Sequence, residues 1–393
     1  MQPTHTAQRS VPFWRDDRVL TWAAQVVSAI AGVAFVVFFI SNVLQAAKLR
    51  GLDLGFSFIR DAGGFALGES VIEYDPSMSF GRAYVVGLLN TLKVAVVGTV
   101  LATILGVIVA LARLSTNWLV NKLASTFIEV IRNVPLLVQL FFWYFGVFQQ
   151  LPPVKESIEL PGPTYLSQRG LYMPAPTPTA TFRPWAFTVI AAVVLAALAY
   201  YFLRRRQVLT GRPSYPVWTA ALLFVLIPAI GWLAVGASPL QIDIPVLERF
   251  NFAGGLRLTT EFAALLTGLV VYTSAFIAEV VRAGVLAVPR GQVEAAKAVG
   301  LTYGQTLRLV VFPQALRVII PPLISQYLNL TKNSSLAIAI GYPDLFFVGR
   351  TIINQAGRAV PVFVLVMGTY LIFSLLTSSV MNVYNRRVKL VER

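Results

Sequence analysis

An all-α, polytopic membrane protein with about eight transmembrane helices is the fold this sequence predicts. Three observations predict it. Mean hydropathy over the 393 residues is +0.71. Charged residues make up 12% of the chain, about half the roughly 25% usual in soluble domains. Eight apolar stretches are each long enough to cross a hydrocarbon core roughly 30 Å thick, which takes about 20 helical residues. They cover 20–44, 84–112, 123–148, 185–203, 213–235, 262–286, 318–340 and 360–384. Spanning strands would show about 10-residue segments with polar alternation, and that pattern is absent. With no cysteine, and His5 as the single histidine, a disulfide-built domain, a histidine zinc site and a Ser-His-Asp triad are excluded.

The first stretch is 25 residues long and no clear small-residue cleavage site follows it. It reads as an anchor that stays rather than a removed signal. With the N-terminus placed inside, the inner segments carry 17 Lys and Arg in 78 residues, and the outer ones 11 in 120. That asymmetry orients the chain with both termini cytoplasmic. Arg204, Arg205, Arg206 and Arg212, in the nine-residue loop between the fourth and fifth stretches, vote most strongly. The net charge of +15 is therefore a topology signal with membrane lipid as its contact, and nucleic acid is not expected.

The remaining elements follow in order. Lys93 lies near the outer end of the second span, where it can snorkel. The third span carries Glu129 and Arg132, and the sixth carries Glu279 and Arg282, each pair three residues apart near the cytoplasmic end. Such pairs neutralise themselves on one helix face, or else shape a gate or meet a zwitterionic substrate. The outer segment 149–184 holds eight prolines, among them Pro152, Pro153, Pro161 and Pro163. It is expected to be extended and poor in hydrogen bonds, either a passive connector or a docking surface. The seventh span is unusually polar: Ser325, Gln326, Asn329, Thr331, Lys332, Asn333, Ser334 and Ser335. A charge at mid-bilayer costs about 2.5–3.5 kcal/mol on insertion scales, so these groups should face protein or water. They line a route through the membrane or join helices by hydrogen bonds.

The inner segment 287–317 is the longest and the least like a plain turn. Helix formers from Gln292 to Val299 end at Gly300, a natural stop. Thr302 with Gln305 fits a capping box that opens a second helix, expected to end by Pro313. Val293, Ala296 and Val299 can share one side of the first helix. So compact an element suits a groove in a partner protein.

Glu294-Ala295-Ala296, then Gly300, Val310, Phe312 and Pro313, stand at the spacings of the cytoplasmic signature of bacterial ABC import permeases. Val310 and Phe312 replace the usual Ile and Leu conservatively. Within that family the chain resembles permeases for polar amino acids. The residues that carry this are Leu88 to Leu92, Ile131 to Phe142 including Arg132, Asn133, Val134 and Pro135, and Lys332-Asn333-Ser334-Ser335-Leu336. An insertion of this size resembles the general L-amino acid and the glutamate/glutamine/aspartate permeases.

The resemblance implies a type I importer core in two parts, 84–150 and 256–393, with coupling helices at 290–313. Residues 1–83 would be a tail, an extra span and a periplasmic loop, and 151–255 an insertion with two extra spans. It implies one half of a translocation pathway in the bacterial inner membrane. The partners would be a homologous second permease, two ATPase subunits, a periplasmic binding protein and an L-amino acid. Glu294, Ala295, Ala296, Gly300 and Pro313 would couple to the ATPase. Glu129, Arg132, Asn133, Glu279, Arg282, Asn329, Lys332, Asn333, Ser334 and Ser335 are the candidates for the pathway or its gate. The chain has no Gly-x-x-x-x-Gly-Lys-Ser/Thr loop. No cofactor is expected on it, and ATP-Mg would sit on the partner ATPase. The rival readings are an ion-coupled secondary transporter, which would show inverted repeats with broken helices, a non-transporting membrane scaffold, and a membrane enzyme.

Overall fold

A computed structural model describes residues 17–49 and 54–388. His5 and the basic residues at the extreme ends lie outside that range. Helix α1 (Asp17–Leu49) is followed by an outer strap over 54–79 and by α2 (Phe80–Arg113). The Ser79 hydroxyl caps α2 by accepting from the Arg82 N–H at 3.2 Å. Among the described residues, seven helices are long and apolar enough to cross a bilayer, or eight if one bent pair counts as a span.

That bent pair corrects the expectation of a continuous helix over 123–148. Helix α3 (Trp118–Asn133) ends, and α4 (Leu136–Phe141) leaves at 104° to it. Pro135 is the cause: it lacks an N–H and drives Val134 into extended backbone at φ −97°, ψ 127°. Gln139 repairs the break. Its amide donates to the freed carbonyls of Ile131 and Val134 at 2.9 and 3.0 Å. A wide π-turn over Phe142–Val147 and a tight turn over Phe148–Gln150 complete the second half of the pair.

The outer segments differ from expectation too. The proline-rich stretch is paired, not free. Strands β1 (Ile158–Leu160), β2 (Thr164–Ser167), β3 (Gly170–Met173) and β4 (Ala175–Pro178) precede the hairpin of α5 (Phe182–Thr210) and α6 (Pro216–Val235). After it come β5 (Leu240–Asp243), β6 (Val246–Leu247), β7 (Phe252–Ala253) and β8 (Leu256–Leu258). One antiparallel sheet runs β1-β2-β3-β8, while β4 pairs with β5 and β6 with β7. Tyr165, Phe252 and Tyr172 stack at centroid distances of 4.5 and 4.9 Å, and the Tyr172 hydroxyl donates to Asn251 at 2.6 Å. Burial pushes the Tyr172 phenol up, opposed by the Arg257 and Arg169 charges. The sheet therefore spans the expected boundary at 255/256.

Helix α7 (Thr260–Leu286) is the central post. It packs along α2 where small residues let the backbones approach: a Cβ added at Gly106 would come within 2.6 Å of Ile277. Leu140, Leu265, Leu269, Ile277 and Leu330 are fully buried around it. Then come α8 (Arg290–Ala298), α9 (Tyr303–Thr306), α10 (Phe312–Asn333), α11 (Leu345–Ala356) and α12 (Ala359–Val388). The helix opened at Tyr303 does not stop at Pro313. A π-turn over Leu307–Val311 takes up the missing N–H, and helical backbone runs 38 residues to Ile340.

Candidate functional site

The expected cytoplasmic element is present as a helix, a reversal and a helix. The α8 chain turns back at Gly300, where φ is +83°. A Cβ there would meet nothing within 4 Å, so the left-handed backbone alone explains the glycine. The Thr302 hydroxyl accepts from the Gln305 N–H at 3.4 Å, and Gln305 Oε1 accepts from the Thr302 N–H at 2.9 Å, which closes the capping box. Ala296 is buried and Val293 packs against the main core, but Val299 is 76% exposed, so the three do not share one side in the same environment. Glu294, Ala295 and Lys297 also point outward. With Val299, Tyr303 at 79% exposed, Leu309 and Phe312, they leave an apolar surface with a carboxylate on it, unpartnered within the described chain.

On the same side of the bundle, four of the candidate gate residues meet. Glu129, Arg132, Asn133 and Glu279 line one polar cavity of about 390 Å³, together with Arg113, Ser125, Ile128 and Phe276. Glu279 pairs with Arg282 at 3.0 Å, as the spacing predicts. Glu129 and Arg132 do not form the matching pair. Glu129 accepts from the Ser125 hydroxyl at 3.1 Å, and the Arg132 guanidinium lies 5.1 Å from the Phe276 ring centroid. The end of α3 packs against α7, which puts that ring within reach. Arg113 donates to Asn121, and Asn121 returns a bond to the Arg113 carbonyl, tying α3 to the end of α2.

The polar run of α10 divides. Asn329 and Lys332 are exposed on an open face, and Lys332 and Ser335 line a groove of about 510 Å³ with Tyr370 and Met367 of α12. Asn333 is half-buried. Ser334 is fully buried and its hydroxyl donates to the Thr331 carbonyl at 2.8 Å, so it lines no open face. Ser335 likewise bonds back to Lys332, at 2.8 Å. These local bonds hold the change from α-helix to the tight turn over Ser334–Ile340.

Sequence reasoning missed a polar cluster at the opposite, outer end. Glu69 in the strap accepts from Lys93 of α2 and from the Thr259 hydroxyl that caps α7. The Asn90 amide donates to the Glu69 carbonyl at 3.0 Å and to the Pro343 carbonyl at 2.9 Å. The Leu345 N–H donates to the Thr91 hydroxyl at 3.0 Å. Lys93 therefore does not snorkel. It is paired, with its ammonium 4.1 Å from the Phe262 ring centroid. The one signal available was a lysine and an asparagine three apart in an otherwise apolar span.

The model of the family described as "Binding-protein-dependent transport system inner membrane component" matches residues 213–390. The putative amino-acid ABC transporter permease protein YhdX of Escherichia coli (strain K12) is 45% identical over 95% of both chains. The chain belongs to the permease family of amino-acid ABC transporters. The general L-amino acid transport system permease protein AapQ of Rhizobium johnstonii is 44% identical over 94% of this permease and 92% of its own length. The glutamate/glutamine/aspartate/asparagine transport system permease protein BztB of Rhodobacter capsulatus is 38% identical over 96% of each. These alignments run through the outer strands and the α5–α6 hairpin of this permease, well beyond the stretches whose motifs carried the resemblance.

Proposed function

We propose that this permease forms one half of the translocation pathway of an ATP-driven importer of L-amino acids, built on a type I core. It sits in the bacterial inner membrane with both termini cytoplasmic. It pairs with a homologous second permease and works with two ATPase subunits, which bind ATP-Mg, and with a periplasmic binding protein that delivers the substrate. The single observation that carries the reading is the α8–Gly300–α9 element: an exposed apolar surface around Glu294, held rigid by a capping box and a left-handed turn. Closure of the ATPases pushes this element, α10 follows because it runs on from α9 as one helix, α7 follows through the short link 287–289, and the core reorients. The coupling free energy resides in the different affinities of the partners for the two states.

The cavity around Glu129, Arg132, Asn133 and Glu279 is the exit side of the route. It offers both signs of charge, which suits a zwitterion. Lys332, Asn333 and Asn329 on α10 extend the route toward the middle of the membrane. The test is copurification. A tagged chain solubilised mildly brings an ATPase with it, and the reconstituted complex accumulates amino acids only with ATP. Accumulation by the chain alone from an ion gradient would replace this reading with a secondary transporter.

A further inference from the structure

We propose that Glu69 is the positioning residue on which the outer closure of the pathway is built. Its ion pair with Lys93 sets when that end opens. The inference rests on the importer reading and adds to it the residue that governs outward opening.

The strap that carries Glu69 is a folded unit with a fixed base and a tied tip. At its base Phe58 and Phe65 pack on Phe80 at centroid distances of 6.2 and 6.3 Å. The two arms are joined by the Gly63 N–H to the Met78 carbonyl at 2.7 Å and the Gly64 N–H to the Pro76 carbonyl at 2.8 Å. The Tyr74 hydroxyl donates to the Phe65 carbonyl at 3.0 Å. Glu69 stands at the tip. Its side chain is 8% exposed, and its two carboxylate oxygens hold separate elements: Oε1 takes the Lys93 ammonium of α2 and Oε2 takes the Thr259 hydroxyl at the start of α7. Its backbone carbonyl takes Asn90, whose amide reaches on to Pro343 before α11. One residue thus fastens the strap to α2 and α7, and through Asn90 to the α11 turn.

The charge decides the consequence. In the closed arrangement the carboxylate, 8% exposed, is neutralised by an ammonium whose side chain is 26% exposed. With the mouth open, both are hydrated. Removing Lys93 leaves the Glu69 carboxylate buried and uncompensated, and removing Glu69 leaves a half-buried ammonium without its partner; opening, which hydrates both, relieves either penalty. Neutralising both removes the penalty. A merely structural packing role would instead make the double variant worse than either single one.

The chain has no cysteine, so one introduced thiol reports cleanly. Ala95 is 7% exposed and lies one helical turn inward of Thr91. In the assembled complex, in right-side-out vesicles without binding protein, Ala95→Cys is labelled with a membrane-impermeant maleimide. Adding Glu69→Gln or Lys93→Met is expected to speed labelling about ten-fold. The double variant Glu69→Gln/Lys93→Met is expected to fall back toward the parent rate. Equal rates in all variants, or a double variant as open as the singles, would overturn the proposal. Should Glu69→Gln fail to reach the membrane, Lys93→Met alone against the double variant gives the same contrast. Absence of ATP-driven uptake by the unmodified complex would sink the importer reading while leaving the labelling contrast to stand or fall by itself.

Discussion

The two ends of the α2–α7 pair hold similar polar residues in opposite conditions. At the outer end Asn90 and Thr91 are fully buried; their side chains bond backbone groups of Glu69, Pro343 and Leu345, and the Asn90 carbonyl accepts from the Tyr342 hydroxyl at 3.3 Å. At the inner end the Glu279–Arg282 pair is 27% and 31% exposed and borders a cavity of about 390 Å³. Buried polar groups must be satisfied or they destabilise the fold, whereas wet ion pairs contribute little. The first end therefore holds the bundle together through buried bonds, and the second borders open space with charges in reach of water; under the proposed reading these are the closed and the open side of the pathway. Asn90 Oδ1, buried without a partner, is the weak point of the closure.

This contrast is open to direct attack through the stability of the solubilised chain. Asn90→Leu leaves the Glu69 and Pro343 carbonyls unpartnered. A loss of about 2–4 kcal/mol is expected, read as a clear drop in thermal midpoint. Gly300→Ala forces a Cβ into left-handed backbone and is expected to cost about 1–2 kcal/mol, with reduced uptake because the reversal between α8 and α9 is strained. Tyr172→Phe removes the bond to Asn251 in the outer sheet, for about 1 kcal/mol, and leaves uptake unchanged if the outer strands only frame the mouth. Arg282→Gln is expected to change stability least, by under about 1 kcal/mol given its exposure, while lowering transport rate. Should Arg282→Gln unfold the chain as readily as Asn90→Leu, the two ends do not differ as described.

Much of this was legible in the residues. The seven continuous spans follow from apolar length alone, because the bilayer imposes the same requirement on each. Gly300 and the Thr302–Gln305 box were readable because capping is local chemistry. What was hidden depended on distant partners. Strands β3 and β4 find partners at 256–258 and 240–243, across a helical hairpin, so the many prolines suggested free chain. Pro135 was visible in the third span, yet the 104° turn needed Gln139 to collect two carbonyls. Glu129 sat three residues before Arg132 as Glu279 does before Arg282, but only the second pair formed. Arg132 had Phe276 to lie against, and Ser125 was within reach of Glu129. Glu69 gave no sign of its part, since an acid in an outer loop is ordinarily solvated.

The central claim is that the element around Glu294 receives mechanical work from a separate ATPase. The most direct measurement is ATP-driven amino acid uptake by the reconstituted complex carrying Glu294→Lys, beside its ATP hydrolysis. The chain should insert normally, hydrolysis should continue, and uptake should fall by about 100-fold, the upper range of typical coupling energies. Uptake at the unmodified rate would contradict the account.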